Sequence, residues 1–324
     1  MKHHTNIADI TPDNFVQKTL EIFHFQADNN PVYREYITHI GCDRKRVDTL
    51  EKIPFLPIGF FKTHSIITKN RTPEKVFLSS GTTGMTRSRH PVADLSLYTE
   101  SFTKGFSYFF GAITDYTLIA LLPSYLEQGD SSLVYMVSSL IQQSQKKESG
   151  FYLQNYDTLP DTIHKLDKSG EKILLIGVSY ALLDLIETHS FQLNNTLVME
   201  TGGMKGRRKE MIKSELHTIL KKGFGVSKIY SEYGMTELLS QAYSLGNERF
   251  YTPPWMRVMI REMEDPFSTL PTGKSGGINV IDLANYHSCS FIATQDLGRR
   301  YPDNSFEVLG RFDHSDIRGC NLMV

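Results

Sequence analysis

Hydrophobic residues form two kinds of pattern in the middle of this chain. Short continuous apolar runs, followed by glycine or small polar residues, are typical of buried strands. These runs lie at 75–80, 116–123, 172–178, 196–200 and 228–230. The stretches between them have the spacing of amphipathic helices. They lie near 94–110, 130–145, 158–169, 180–189 and 205–222. This alternation predicts an α/β fold of layered, mostly parallel sheets flanked by helices.

The two ends of the chain differ from the middle. Residues 1–50 are predicted to be helical, with Asn30-Pro31 as a helix start. The segment 53–64 has two prolines and several aromatic residues, which predict an extended conformation. Its aromatic side chains either pack into the core or line a pocket for an apolar substrate. After residue 240, strand patterns dominate, at 256–262, 277–283, 290–294 and 305–309.

Three segments follow from these patterns. The first, 1–74, is helical and extended and is expected to pack on the core. The second, 75–240, is the α/β core. The third, 241–324, is predicted to be a small β-rich subdomain.

Composition narrows the class of protein. The chain has 324 residues, of which 40% are hydrophobic, enough for a substantial core. Its net charge of −1 provides no basic field for nucleic acid or for an anionic membrane surface. The three cysteines form no closely spaced pair, which favours a reducing, cytoplasmic environment. The first residues lack an apolar segment, so we expect no secretory signal. No run of about 20 apolar residues occurs in the sequence, so we expect no membrane span.

A loop of small polar residues and glycine follows the strand pattern at 75–78. Its residues are Ser79, Ser80, Gly81, Thr82, Thr83 and Gly84. Hydroxyls and exposed N–H groups in such a turn can wrap a phosphate, although the loop is equally compatible with a plain connection. It is not a Walker A loop, because no Gly-Lys-Ser/Thr ending follows it.

Two further motifs come after predicted strands. Gly202 and Gly203 offer flat backbone against which a base can lie, or they are ordinary turn glycines. The second motif is Tyr-Gly-Met-Thr-Glu, which begins at Tyr233 and Gly234. Tyr233 offers an aromatic face for stacking. Ligands of α/β proteins bind at the carboxyl ends of strands, where both motifs are predicted to lie.

Three side chains in these later motifs have the chemistry needed to bind other parts of a nucleotide. The hydroxyl of Thr236 can donate to a phosphate. The carboxylate of Glu237 is a hard oxygen ligand suited to Mg²⁺, or it is a solvated surface group. Asp296 can accept hydrogen bonds from both hydroxyls of a ribose, or it is a turn aspartate before Gly298.

In this order the motifs resemble those of the adenylate-forming superfamily of acyl-CoA synthetases, luciferases and peptide synthetase adenylation domains. The Ser79–Gly84 loop resembles its phosphate loop, and the pentapeptide at 233–237 its adenine and Mg²⁺ motif. Asp296 matches its ribose-binding aspartate, and Gly310-Arg311-Phe312-Asp313 its hinge motif. The resemblance covers about residues 76–320. It implies ATP and Mg²⁺ as cofactors and the fold of the superfamily's N-terminal domain.

Within the superfamily the chain is most similar to the LuxE acyl-protein synthetases of bacterial bioluminescence operons. The similar stretches are residues 53–62, residues 122–132 and the short C-terminus. The resemblance implies that a fatty acid is activated as acyl-AMP and transferred to the enzyme's own cysteine near the C-terminus, here Cys320. A partner acyl reductase would then take over the acyl group. The aromatic segment favours a fatty or aryl acid.

Several alternatives stay open. The enzyme could transfer the acyl group to coenzyme A or a carrier protein, with Cys320 as a bystander. It could also be an inactive scaffold for a reductase or synthase partner, or an ATP-hydrolysing kinase-like enzyme, although no catalytic base motif accompanies the loop. A free cysteine is most often a small buried hydrophobe, whereas His314 and Arg318 would favour a reactive Cys320 thiolate.

The chain departs from the superfamily pattern in two places. Gly84 is followed by Met-Thr-Arg instead of Gly-x-Pro-Lys, with Arg87 keeping a positive charge that can bind a phosphate bidentately. Relatives also have a small lid domain after the hinge, with a lysine that assists adenylation. This chain ends about ten residues past Asp313. We therefore expect the loop and Arg87 to stabilise the departing pyrophosphate without that lysine.

Overall fold

The computed structural model describes residues 6–80, 86–123, 130–152, 158–203, 208 and 211–312. These residues fold into two compact units. The first contains the described residues of Met1–Lys75, His90–Asp94 and Pro254–Val324. The second contains those of Val76–Arg89 and Leu95–Pro253. The first unit therefore combines the N-terminal helices with the C-terminal strands.

Helices and strands alternate through most of the chain. The helices are α1 (Phe15–Asn29), α2 (Pro31–His39), α3 (Phe60–Thr63), α4 (Leu95–Phe110), α5 (Ser132–Ser144), α6 (Leu159–Lys168), α7 (Ser179–Thr188) and α8 (Lys213–Phe224). The strands are β1 (Leu56–Pro57), β2 (Lys75–Leu78), β3 (Arg89–Val92), β4 (Thr117–Leu121), β5 (Gly150–Phe151), β6 (Ile173–Val178), β7 (Thr196–Thr201), β8 (Tyr230–Tyr233), β9 (Ala242–Ser244), β10 (Phe250–Tyr251), β11 (Met256–Arg261), β12 (Ser275–Asp282), β13 (Phe291–Arg300) and β14 (Phe306–Arg311). Short 3₁₀ helices lie at Ile7–Asp9, Arg44–Arg46, Leu50–Lys52 and Ile113–Asp115.

A parallel sheet forms the centre of the second unit. Strands β5, β4, β6, β7 and β8 pair in this order, all in parallel. Strands β9 and β10 continue the sheet in antiparallel orientation. Every residue of β4 and β6 is buried, as expected for strands covered on both faces by helices. The predicted α/β class with a mostly parallel core is confirmed.

Antiparallel strands dominate the C-terminal part of the first unit. Strands β11, β12, β13 and β14 pair in sequence order, and β1 pairs in parallel with β13, with Leu56 opposite Ile292. This arrangement confirms the predicted strand-rich C-terminal part. In the N-terminal helices, Asn30 accepts the N–H of Tyr33 over 3.1 Å, with Pro31 at the first helical position, as predicted.

The aromatic segment at 53–64 belongs to the core of the first unit. Phe55 and Phe61 are buried, and the ring centroids of Phe55 and Phe291 lie 6.3 Å apart. Both side chains therefore pack into the core, and Phe55 also lines a cavity together with Ile53 and Pro54. The segment is not extended throughout, because its last residues form α3. Both prolines precede α3, so they do not interrupt its hydrogen bonds.

Three elements differ most from their predicted bounds. Strand β8 begins and ends later than 228–230, and β13 continues to Arg300 instead of ending at 294. Helix α8 begins only at Lys213, and the described residues Met211 and Ile212 precede it. Among the described helices none has both the length and the apolar character needed to cross a membrane.

Candidate nucleotide-binding site

Ser79 and Arg87 form the base of the predicted phosphate loop. The N–H of Ser79 donates to the carbonyl of Ser88 over 3.0 Å, and the N–H of Ser88 donates to the Ser79 hydroxyl over 2.9 Å. Arg87 is half-buried and donates from Nε to the Ser79 carbonyl. Ser80 is exposed. These bonds place the Arg87 guanidinium beside the start of the loop, where a cation can neutralise a phosphate.

The structure does not describe five of the candidate residues. Gly81, Thr82, Thr83, Gly84 and Cys320 lie outside the described residues. Their assigned roles stay predictions.

The motifs that contain Gly202 and Tyr233 lie on adjacent strands. Strands β7 and β8 pair in parallel, with Thr201 opposite Glu232. Gly202 and Tyr233 each come one residue after this pair. Gly202 has φ of +64°, a backbone conformation that favours glycine, and Gly203 beside it is exposed. The two motifs therefore share one edge of the parallel sheet, where ligands bind in α/β folds.

Close packing shapes the turn after β8. A Cβ atom added to Gly234 would lie 2.5 Å from Oε1 of Glu232. No side chain fits at this position unless the buried Glu232 carboxyl moves. Tyr233 is half-buried, and its ring centroid lies 5.7 Å from that of Phe250. The packing of the Glu232 carboxyl therefore favours glycine at position 234.

Glu237 is buried, with 5% of the residue exposed, and Thr236 is half-buried. A buried carboxylate needs partners, so Glu237 differs from the solvated surface glutamate that was the alternative. The described residues contain no group of three or more His, Cys, Asp or Glu side chains placed to hold a metal ion. A single carboxylate such as that of Glu237 suits Mg²⁺, which is commonly bound through one or two carboxylates together with substrate phosphates and water.

Asp296 and Arg311 lie in the first unit and form an ion pair. They face each other on β13 and β14, and Nε of Arg311 lies 3.2 Å from Oδ1 of Asp296. Asp296 is 7% exposed, whereas the Arg311 side chain is 84% exposed. The N–H of Asp296 also donates to the Thr294 hydroxyl over 3.1 Å. The structure brings these two candidates together, and the other described candidates belong to the second unit.

A buried ionic cluster, which the sequence patterns did not indicate, lies beside Gly202. Oε1 of Glu200 is 2.7 Å from Nζ of Lys213 and 3.5 Å from Nε2 of His217. Burial alone raises the pKa of Glu200. The positive charge of Lys213 and the hydrogen bonds from His217 and Lys213 outweigh that effect and lower the pKa to about 2. Glu200 is therefore charged at neutral pH.

The second buried carboxyl of this region is Glu232. Its Oε2 accepts a hydrogen bond of 2.5 Å from the Thr201 hydroxyl. Burial is the main reason that the pKa of Glu232 rises to about 7, with the Thr201 bond opposing and the Glu200 charge adding to the rise. Two carboxyls on neighbouring strands thus titrate in different pH ranges. The available sequence signal was an acidic residue in an otherwise apolar strand, at Glu200, and another directly before Tyr233.

The two described cysteines have thiols of low reactivity. Cys289 is fully buried, and burial raises the pKa of its thiol to about 12. Cys42 is half-buried, and burial raises its pKa as well. Neither thiol is therefore ionised near neutral pH.

Structural comparison identifies ligases that share this fold. MatB from Rhodopseudomonas palustris, in an ATP-bound crystal structure, matches with a TM-score of 0.57 at 17% identity, over 73% of this chain and 47% of that chain. A long-chain-fatty-acid-CoA ligase, FadD1 from Archaeoglobus fulgidus, matches with a TM-score of 0.56 at 14% identity, over 73% and 51% of the two chains. The chain thus spans about half the length of these relatives.

A further match covers more of both proteins. 2-Hydroxyisobutyryl-CoA ligase, in a postadenylation state, matches with a TM-score of 0.67 at 11% identity, over 93% of this chain and 68% of that chain. At such identities the likeness shows the fold alone. No curated protein matches the sequence. The family model described as acyl-protein synthetase, LuxE, matches residues 12–324, almost the whole sequence. The chain therefore belongs to the LuxE acyl-protein synthetase family.

Proposed function

We propose that this protein uses ATP and Mg²⁺ to convert a carboxylic acid, in particular a fatty acid, to an acyl-adenylate. The acyl group then passes to the thiol of Cys320. The observation that carries the adenylation step is the pairing of β7 with β8, with Thr201 opposite Glu232. This pairing sets the Gly202 and Tyr233 motifs side by side at the sheet edge where α/β proteins bind ligands. Membership of the LuxE family supports the acyl-transfer step.

In the adenylation step a carboxylate oxygen attacks the α-phosphorus of ATP. The bond to the bridging oxygen breaks, and pyrophosphate leaves with its electron pair. Such a transfer needs positioning and charge neutralisation more than covalent help from side chains. We assign the β- and γ-phosphates to the Ser79–Gly84 loop and Arg87. Thr236 and Glu237 are assigned to the α-phosphate and to Mg²⁺.

The nucleoside has its own candidate residues. Gly202, Gly203, Tyr233 and Gly234 are assigned to the adenine. Asp296, oriented by its ion pair with Arg311, is assigned to the ribose hydroxyls. The low exposure of Asp296 supports this role, since a carboxylate shielded from water forms stronger hydrogen bonds to a ligand.

In the transfer step the thiolate of Cys320 attacks the carbonyl carbon of the acyl-adenylate. The new C–S bond replaces the C–O bond, and AMP leaves with its negative charge. The raised pKa values of Cys42 and Cys289 disfavour these two thiols as acceptors. The thioester would be the substrate of a partner acyl reductase.

Exchange of labelled pyrophosphate into ATP tests the adenylation step. We expect exchange that depends on Mg²⁺ and on a carboxylic acid, and that is strongest with one chain length in a panel of fatty and aryl acids. A lack of exchange with every acid of the panel would contradict an active adenylating enzyme and favour the scaffold alternative.

Mass spectrometry of the intact protein tests the acceptor. After incubation with ATP and the best acid, the wild type should gain the mass of one acyl group, and Cys320→Ser should not. Cys42→Ser is the matched control and should be acylated like the wild type. If Cys320→Ser is still acylated, or if only added coenzyme A or a carrier protein becomes acylated, Cys320 is not the acceptor.

A further inference from the structure

We infer that Arg261 is a positioning residue for Asp296. Its guanidinium fixes the Thr294–Asp296 segment of β13 and packs under the ring of Phe312. The inference rests on the proposed function, in which Asp296 binds the ribose of ATP. All of these residues belong to the first unit.

Arg261 is unusual because its guanidinium is directed into the sheet. Only 9% of the residue is exposed. Nη1 donates to the carbonyl of Ile278 over 2.7 Å and to Oδ1 of Asn279 over 2.9 Å. Nη2 donates to the carbonyl of Thr294 over 2.6 Å. The Arg261 side chain, at the end of β11, thus joins β12 and β13. Its burial is tolerated because these hydrogen bonds satisfy its donors, since a buried cation without partners is costly.

Thr294 connects this cation to Asp296. Its hydroxyl donates to the same Ile278 carbonyl over 2.9 Å and accepts the N–H of Asp296 over 3.1 Å. Arg261 therefore holds the Thr294 carbonyl, while the Thr294 hydroxyl holds the Asp296 backbone. The backbone that carries the Asp296 carboxylate is therefore held to β12 by the hydrogen bonds of Arg261 and Thr294.

Strand β12 has two local features that leave space for the Arg261 guanidinium. A Cβ atom on Gly277 would lie 2.5 Å from Cζ of Arg261. The pairing of β12 with β13 also shifts register between Gly277 and Asn279, which forms an irregularity at the same place. The glycine and the irregularity both make room for Arg261. This local geometry is built around the side chain.

The guanidinium also contacts the end of β14. Cζ of Arg261 lies 5.4 Å from the centroid of the Phe312 ring, within cation–π range. The N–H of Phe312 donates to the carbonyl of Gln295, next to Asp296, over 2.8 Å. Phe312 follows Arg311, which is paired with Asp296. Arg261 thus supports both strands whose side chains form the Asp296–Arg311 ion pair.

The test is a comparison of two nucleotides by calorimetry. ATP and 2′,3′-dideoxy-ATP differ only in the two hydroxyls that Asp296 is assigned to bind. We expect the wild type to bind ATP at least about tenfold more tightly, as for hydrogen bonds to a charged group. Asp296→Ala should bring this ratio close to one. Arg261→Lys and Thr294→Val should each lower it by severalfold, mainly through weaker binding of ATP.

A matched control separates positioning from a general loss of structure. Arg299 lies on the same strand as Asp296 and bonds to Ser275 over 3.1 Å, so Arg299→Lys should keep the wild-type ratio. The inference would be overturned if Arg261→Lys and Thr294→Val weakened the binding of both nucleotides but kept the wild-type ratio of their affinities. A ratio unaffected by Asp296→Ala, or a wild type that does not bind ATP, would also overturn it. Intact ATP binding without acid-dependent exchange would overturn the proposed function alone.

Discussion

The hydroxyl of Thr201 donates a 2.5 Å hydrogen bond to Oε2 of Glu232 and so joins the ends of β7 and β8. The bond lies one residue before Gly202 and one before Tyr233. Glu200, the neighbour of Thr201, is charged, whereas Glu232 is protonated below pH 7 because its pKa is raised to about 7. The protonation state of a single side chain beside the candidate adenine motifs thus changes near physiological pH.

The first prediction is a pH-dependent contribution of Glu232 to stability. Its pKa is about 7 in the folded protein and 4.5 as the unperturbed value. The folded state therefore holds the proton more tightly. The stabilisation is therefore complete below about pH 4.5, falls progressively as the pH rises from there to 7, and is fully lost above pH 7, by roughly 3 kcal/mol in all. Glu200, with its pKa lowered to about 2, stays charged in this range.

Glu232→Gln mimics the protonated side chain and should remove this loss. Its free energy of unfolding in urea should exceed that of the wild type only slightly at pH 5 and by much more at pH 8. Other titrating groups are common to both proteins, so the difference between the two curves isolates Glu232. Parallel curves from pH 5 to 8 would contradict the raised pKa.

The second prediction concerns Gly234. In Gly234→Ala the new Cβ would lie 2.5 Å from Oε1 of Glu232, so the carboxyl must move and its bond to Thr201 weakens. We expect a stability loss of about 1–3 kcal/mol and weaker ATP binding. Gly59 is the matched control, because a Cβ there meets no atom within 4 Å and its φ of −57° suits alanine. Equal effects in the two variants would show that packing against Glu232 is unimportant.

The third prediction concerns the partner of Glu200. Lys213→Met leaves a buried carboxylate without its cation, which typically costs about 3–5 kcal/mol. The Lys213 side chain is 27% exposed, so we expect the lower end of this range. Glu200→Gln combined with Lys213→Met should recover much of the loss. Lys222→Met, at an exposed position on the same helix, should be nearly neutral. A fully additive double variant would contradict the coupling of Glu200 and Lys213.

The sequence pattern predicted the elements that carry the motifs, because β6 is a continuous apolar run, β7 has an apolar centre at 197–199, and small residues follow both strands. It misplaced β8, because Ser231 and Glu232 are polar and do not resemble residues of a buried strand. Both residues can be buried because their polar side chains have partners. Glu232 accepts a hydrogen bond from Thr201, and the Ser231 hydroxyl lies 3.3 Å from Nε2 of His217. Such partners come from other elements and cannot be identified from local spacing.

The same limit applies to the first unit. Strand β13 continues through Gln295, Asp296 and Arg299, whose polarity is compatible with a loop when the sequence is considered alone. Its pairing with β1, 236 residues earlier at Leu56 and Ile292, joins distant parts of the chain. The burial of Arg261 could not be predicted from the sequence either, because it depends on carbonyl acceptors from β12 and β13.

The fourth prediction concerns metal dependence. Glu237 is buried and is the predicted Mg²⁺ ligand, so Glu237→Gln should slow pyrophosphate exchange strongly and shift half-maximal activity to higher Mg²⁺ concentration. The amide keeps the size and an oxygen ligand but loses the charge that attracts the cation. Titration with MgCl₂ at saturating ATP measures the shift. Glu215→Gln, at an exposed position in the first turn of α8, should leave the titration unchanged. A Glu237→Gln enzyme with wild-type Mg²⁺ dependence would remove Glu237 from the metal site, because loss of a ligand charge must weaken Mg²⁺ binding.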